Sequence, residues 1–285
     1  LSATIDEQTA WDLIRATPQG PWTLHPQVSL PHNHRPDVWL QVAPSGQWKT
    51  STPVTDEARD ILELYLPLQV PRRLVVAQLG QSLDGRIATE SGHSHYITGP
   101  ADIIRLHRLR AIVDAVLVGA GTIESDDPRL TVRKVEGDNP VRVILDPDGR
   151  LDPTRHVFSD GSARTVHIRR EMPERKRQTR ENRSSVLILP VDTQRHFKPM
   201  VVLDALHDLG LKRVLIEGGG VTVSKFLQAQ AVDRLHVTVA PLIIGSGKHA
   251  FTLDPINTLD RAWRSPCRIF KLGDDVLFDF DLQNR

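Results

Sequence analysis

Residues 213–227, Arg-Val-Leu-Ile-Glu-Gly-Gly-Gly-Val-Thr-Val-Ser-Lys-Phe-Leu, read as a buried strand, three glycines and the start of a helix. Glycine lets the backbone turn sharply and come close to a ligand. The first turn of the helix that follows offers unpaired N–H groups and a partial positive charge to a phosphate. A dinucleotide pyrophosphate fits such a turn. A tight strand-to-helix connection would also use three glycines, and the spacing is not that of the usual dinucleotide fingerprint. Glu217 adds a carboxylate at the C-terminal end of the strand, where open α/β sheets place their ligand crevice. Its plain alternative is a salt bridge or a cap to the next helix.

A second stretch, residues 118–133, Val-Gly-Ala-Gly-Thr-Ile-Glu-Ser-Asp-Asp-Pro-Arg-Leu-Thr-Val-Arg, also follows a strand and is read as a loop opening on glycines. Thr122 can donate a hydroxyl to a phosphate or ribose, Asp126 and Asp127 can accept from ribose or base groups, and Arg133 offers a planar fork to an anion. The alternative is an Asp-Asp-Pro turn capped by Asp126.

Outward from these two segments, short β-branched runs at 74–79, 115–118, 141–145, 165–168, 186–189 and 214–216 alternate with helical stretches at 101–113, 171–182, 200–209 and 222–230. That alternation predicts an α/β fold: a mostly parallel sheet with helices on both faces. Runs at 234–240, 268–272 and 276–282 lack intervening helices and predict antiparallel strands at the C-terminal end. Residues 1–70, with prolines at 18, 21, 26, 31, 36, 44, 53 and 67, read as an N-terminal extension to a 71–285 domain. Within the extension, helices capped by Asp6 and Thr55 are expected at 6–16 and 55–66, and a hairpin at 38–42 and 47–50.

The composition is that of a soluble globular protein, 39% hydrophobic and 25% charged. Apolar runs fall far short of the ~20 residues that span a bilayer, and residues 1–7 show no secretory pattern. A net charge of +1 with signs interspersed, also in the basic stretch 169–183, argues against nucleic-acid binding. The single cysteine, Cys267, excludes an internal disulfide and multi-thiolate metal sites and is expected to be a small buried hydrophobe. His32 and His34 form a lone His-x-His in a proline-rich loop, more in keeping with solvated side chains than with a metal site. No metal is expected, and a reducing cytoplasm suits the chain.

Three segments resemble the reductase family of riboflavin biosynthesis, best known as the C-terminal half of bifunctional deaminase-reductases. Residues 77–88, Ala-Gln-Leu-Gly-Gln-Ser-Leu-Asp-Gly-Arg-Ile-Ala, are similar to its first strand and Ser-Leu-Asp-Gly motif. Gly119-Ala-Gly-Thr with Asp126-Asp-Pro-Arg-Leu-Thr-Val-Arg is similar to its second signature, and Glu217-Gly-Gly-Gly to its third. The pieces at 92–99, 109–111 and 145–150 also match, and the likeness runs from about residue 73 to the C-terminus. Motifs in series are far more specific than any one alone.

The resemblance implies a dihydrofolate-reductase-like fold, NADPH, a phosphorylated ribosylaminopyrimidine substrate and a homodimer. Carried over by position, it sets Gly80, Tyr96, Thr122, Asp126, Gly219, Gly220, Val221, Thr222, Val223, Ser224 and Lys225 against NADPH, with Pro147 a weaker contact. Ser94, Arg110, Leu130, Arg133 and Glu217 fall on the substrate side. Hydride delivery to C1′ of the ring-opened imine would turn ribosyl into ribityl, a task of positioning. Asp84 and Glu217 are the candidate carboxylates for orienting hydroxyls or relaying protons, although Asp84 can equally hold the turn into Gly85. Arg169 and Arg170 are candidates to meet a 2′-phosphate.

Two departures stand out. Gln78 replaces a lysine of many bifunctional bacterial relatives, and one cysteine cannot furnish the zinc site of a deaminase half. A related reductase of another pterin or pyrimidine, such as dihydrofolate, and a non-catalytic nucleotide-binding protein stay open as alternatives.

Overall fold

The computed structural model describes residues 4–18, 27–29, 37–43, 45–95, 97–171 and 184–283, in two compact units, 1–74 and 75–285. The helix expected at 171–182 therefore lies outside the described residues, as do His32, His34 and Tyr96. No helix among the described residues is long and apolar enough to cross a membrane.

The first unit holds α1 (Glu7–Ala16), β1 (Gln27–Ser29), β2 (Trp39–Val42), β3 (Trp48–Thr50) and α2 (Asp56–Gln69). Asp6 and Thr55 cap the two helices, accepting from Thr9 N and Ala58 N. The three strands form an antiparallel sheet in the order β1-β2-β3. Helix α2 runs on past its expected end at 66, through Pro67. One missing backbone donor is offset by burying Leu66 and Leu68 beside Trp11 and Tyr65, whose rings meet edge to face.

The second unit continues with β4 (Leu74–Ser82), β5 (Arg86–Thr89), α3 (Pro100–Ala111), β6 (Ala115–Gly119), α4 (Ala120–Asp126), β7 (Val141–Leu145), α5 (His156–Ser159), β8 (Thr165–Arg169) and β9 (Ser184–Ile188). It ends with α6 (Pro199–Asp208), β10 (Arg213–Glu217), α7 (Gly220–Gln228), β11 (Arg234–Ala240), β12 (Gly247–His249), β13 (Cys267–Leu272) and β14 (Asp275–Asp281). Nine strands form one sheet in the order β13-β14-β11-β4-β10-β6-β7-β8-β9. Pairing is parallel for β11 with β4, β10 with β6, and on through β6, β7, β8 and β9. The last two strands are antiparallel, as expected. A separate ribbon pairs β5 with β12; strands this short carry too little pattern to be read from sequence.

Strand alternation sorts the sheet into two faces. On one, Ala77, Leu79, Val214, Ile216, Leu235 and Val237 pack in a single core with Val202, Leu203 and Leu206 of α6 and Val223, Phe226 and Leu227 of α7. On the other, the intervening residues Gln78, Glu217, His236 and Thr238 meet polar groups of α3. Helices thus cover both faces. Cys267 corrects the reading of a buried thiol: it is exposed, at the start of the edge strand β13.

Candidate active site

The C-terminal ends of β4, β10, β6 and β7, neighbours in the sheet, open on one cavity of about 750 Å³. Each strand end contributes to its wall: Gly80, Gly218, Gly119 and Leu145. Parallel strands put their carboxyl ends on the same rim, which is where open α/β sheets hold ligands.

The two glycine segments interlock there. A methyl group on Gly119 would come within 2.6 Å of Thr222 Oγ1, so only glycine lets the end of β6 approach the first turn of α7. Gly218 and Gly219 adopt φ of 63° and 53°, left-handed conformations that L side chains disfavour, and the space above Gly219 is taken by Thr122. Residues 119–126 are not a loop: Ala120–Asp126 is the short helix α4, closed by Asp127 at φ 40°. The Ala-Gly-Thr-Ile-Glu-Ser run contains no breaker before Asp-Asp-Pro, so it winds up. Asp127, rather than Asp126, holds the cap position and accepts from His156 N.

Of the expected cofactor residues, Gly80, Thr122, Asp126, Gly219, Gly220, Val221, Thr222 and Lys225 line the cavity, with Pro147 and Ser94. Ser94, assigned to substrate by resemblance, donates to Asp126 Oδ1 at 3.2 Å. Val223 and Ser224 are turned away. Val223 is buried in the core, and Ser224 Oγ accepts from Thr252 N; both follow from the helical period of α7, which shows only one face to the cavity.

On the wall, Lys248, His249, His196 and Phe197 carried no sequence signal, whereas Ile87, Ala88 and Arg150 fall within the motif stretches 77–88 and 145–150. Ile87 and Ala88 of β5 with Lys248 and His249 of β12 line the cavity from the ribbon, and Arg150, His196 and Phe197 join Leu145 and Pro147 in the lining. Arg150 belongs to the Asp-Pro-Asp-Gly-Arg turn. That turn is braced by fully buried Asp146, which accepts from Arg150 N, Leu151 N and His167 Nε2. Arg169 and Arg170 are not on the wall, and Arg170 forks onto Asp148.

Behind the glycine turn lies the charged group. Arg110 of α3 grips Glu217 through two bonds, Nε to Oε1 at 2.7 Å and Nη2 to Oε2 at 2.6 Å, both side chains buried. Arg110 Nη1 also donates to Thr131 O, as does Arg133 Nη1 at 3.4 Å. Arg133 N donates to Nδ1 of buried His107. Burial, with Arg110, Arg133 and Lys134 nearby, depresses the His107 pKa to about 4, so the ring is a neutral acceptor. Leu130, buried at φ 54°, turns the chain between these groups. Arg110, Leu130, Arg133 and Glu217 do not line the cavity itself; Glu217 sits directly before its wall residue Gly218.

Asp84 is elsewhere. Its carboxylate accepts from Ser82 Oγ at 2.6 Å and from the N–H groups of Ile244 and Gly245, which hold its pKa down at about 2. It ties the turn after β4 to the turn before β12 and does not line the cavity. The geometry gives it a positioning task between the two turns that flank the ribbon.

A parallel sheet with interlocked turns around one cleft at its strand ends is the architecture of an α/β enzyme. Residues 73–277 match the model of the RibD C-terminal domain, so the chain belongs to that family of riboflavin-biosynthesis reductases and is an oxidoreductase. The 2,5-diamino-6-ribosylamino-4(3H)-pyrimidinone 5′-phosphate reductase of Methanothermobacter thermautotrophicus is 33% identical over 219 residues, 74% of this chain and 99% of that protein. Riboflavin biosynthesis protein RibD of Aquifex aeolicus is 32% identical, with 79% of this chain matched to 62% of its own length. Among solved structures, the deaminase/5-amino-6-(5-phosphoribosylamino)uracil reductase of Thermotoga maritima superposes with a TM-score of 0.62 at 27% identity, covering 81% of this chain and 64% of that one. The chain thus spans less than two thirds of the Aquifex and Thermotoga proteins.

Proposed function

We propose that residues 71–285 form an NADPH-dependent reductase. It converts the ribosyl group of a phosphorylated ribosylaminopyrimidine, of the 5-amino-6-(5-phosphoribosylamino)uracil type, to ribityl. The observation that carries this reading is the meeting of both glycine segments on one cavity. Its volume lies within the range of small-molecule and cofactor sites.

The residues fit a nicotinamide dinucleotide. The N-terminus of α7 and the glycine backbone suit the pyrophosphate. Leu145, Pro147 and Phe197 offer an apolar seat for adenine, with Arg150 beside it as the cation for a 2′-phosphate. With the pyrophosphate at α7 and adenine at the β7 end, this reading puts the reacting end at β4, near Gln78 and Gly80. The dinucleotide supplies a hydride when bound. The chain's residues supply position: Thr122 and Asp126 hold ribose hydroxyls, and Ile87 and Ala88 exclude water on the ribbon side.

For the substrate, Arg133 is the available cation. It is exposed, and among the described residues no carboxylate lies within salt-bridge reach of it, whereas Arg110 is committed to Glu217. A ribose phosphate would gain a charge-assisted bond of ~1.5–3 kcal/mol there. Arg110 and Glu217 then set the Thr131 backbone beside it.

A homodimer completes the reading. Residues 252–261 are exposed throughout and carry Leu253, Ile256 and Leu259; Trp263 and, on the edge strand β13, Ile269 are exposed as well. A concentration of exposed large apolar side chains in one stretch of chain is what an interface between copies requires. A cytoplasmic setting suits the free, exposed thiol of Cys267.

The test is NADPH oxidation with the phosphorylated ribosylaminopyrimidine, its dephosphorylated form and dihydrofolate. Turnover of the first alone is expected. Turnover of dihydrofolate would reassign the substrate, and NADPH binding without any turnover would make this a binding protein.

A further inference from the structure

On the wall where β4 meets the cavity, Gln78 is buried to all but 8% and still lines the space. Its Oε1 accepts from Arg105 Nη2 at 2.7 Å. Arg105, 2% exposed, is itself fixed on two further sides. Nε donates to Asp102 Oδ1 at 2.7 Å, and Nη1 lies 3.2 Å from His236 Nδ1. Asp102 is anchored by Thr238 Oγ1; burial alone would raise its pKa, but Arg105 and the hydroxyl outweigh this and hold it ionised. His236, wholly buried, is pushed toward its neutral form by desolvation. Its Nε2 lies 3.2 Å from Asp279 Oδ1, and Asp279 is gripped in turn by Arg234 and Arg268. A file of polar groups runs from the sheet edge to the cavity, with His236 Nε2 and Asp279 in ion-pair range but without a formed hydrogen bond.

The file decides how the Gln78 amide is turned. A guanidinium has only donors, so the oxygen must face Arg105; the flipped amide would set NH₂ against N–H. Nε2 therefore points the other way. It has no partner among the described residues, and it is not sealed from solvent. The position is presented to ligands as an uncharged double donor.

We infer that Gln78 is a specificity-determining residue. It donates a neutral hydrogen bond to an oxygen at the reacting end of the site, and Arg105 is the positioning residue that holds it so. The inference rests on the proposed reductase reading, which sets the nicotinamide and the sugar at the β4 end. Two oxygens have the right chemistry, the carboxamide oxygen of the nicotinamide and a sugar oxygen of the substrate. Because an amide cannot release a proton near neutral pH, Gln78 orients its acceptor and stabilises partial charge on it but delivers no proton.

The experiment uses the full chain with Gln78→Glu, Gln78→Leu and Arg105→Lys. Glu keeps the contact to Arg105 and the shape of the wall but turns the outward donor into an acceptor. We expect Gln78→Glu to melt like the wild type and to lose about tenfold to hundredfold in kcat/KM, the size of one polar hydrogen bond turned repulsive. A weaker NADPH dissociation constant assigns the bond to the nicotinamide; unchanged NADPH binding with a raised KM or lowered kcat for the pyrimidine assigns it to the sugar. Arg105→Lys should lower activity in the wild-type background and add nothing in the Gln78→Leu background, a coupling that mere loss of stability would not produce. Wild-type turnover retained in Gln78→Glu with unaltered binding overturns this inference alone. A wild type that turns over no pyrimidine overturns the reductase reading and this inference with it.

Discussion

The cavity has one wall made of backbone and, behind it, a layer made of charge. The glycine wall, Gly119 and Gly218 to Gly220, owes its shape to close approach and left-handed φ. The layer behind it, Arg110 with Glu217 and Arg105 with Asp102, owes its shape to buried ion pairs. The difference teaches where stability and binding part company. A buried pair holds the fold because breaking it strands a charge. Most of the glycine wall is also fixed by the fold, since a β-carbon on Gly119 or Gly220 would collide with Thr222 Oγ1 or the Ala250 carbonyl, but neighbouring Gly121 has open space where a side chain meets the ligand first.

Removing one partner of the buried layer has the largest expected effect. Glu217→Ala leaves Arg110 buried without its carboxylate and should cost about 3–5 kcal/mol, read as a lowered urea midpoint. A midpoint equal to the wild type would show that the layer carries no stability and would erase the contrast.

A smaller effect lies on the pH axis. The folded His107 pKa is depressed to about 4 from an ordinary 6.5, so between these values the unfolded chain binds the extra proton. Stability contributed here is complete above about pH 6.5 and is lost as pH falls toward 4, by an amount on the order of 1–3 kcal/mol. Thermal melts across that window should slope, and His107→Gln should flatten the slope. An equal slope in both proteins would assign it to other groups.

The two layers were not equally legible. The glycine wall could be read locally, because turn conformation and close approach restrict residue type within a few positions. The strands of the parallel sheet were legible for the same reason, from runs of β-branched residues. The charged layer was not: Arg110 and Glu217 are 107 positions apart, and Arg105 meets His236 across 131. No local pattern distinguishes a buried arginine in an amphipathic helix from a solvated one. Resemblance drew Arg110 and Glu217 to the same side of the site, yet their mutual grip came only from the fold. Asp84 shows the converse, a residue prominent in a motif whose oxygens are consumed by Ser82, Ile244 and Gly245.

The smallest effect separates two arginine assignments. Arg150 lines the cavity, where it holds a partly exposed ion pair with Glu124 at 2.9 Å, while Arg170 is engaged with Asp148 outside it. Arg150→Ala should weaken NADPH by about tenfold, near 1.4 kcal/mol, and leave NADH unchanged; Arg170→Ala should alter neither. Steady-state KM values for both cofactors decide it, and the reverse pattern would return the 2′-phosphate to the β8 end.

The central claim is that one dinucleotide lies across both glycine turns, and Gly121 offers the most direct test. It lines the cavity, and a β-carbon there meets no protein atom within 4 Å. NADPH fluorescence titration of the wild type and Gly121→Leu, with melting temperature measured alongside, should give one site per chain in the wild type. The variant should bind at least about a hundredfold more weakly at unchanged melting temperature. Equal affinity in the two proteins would mean that the dinucleotide does not lie between these turns.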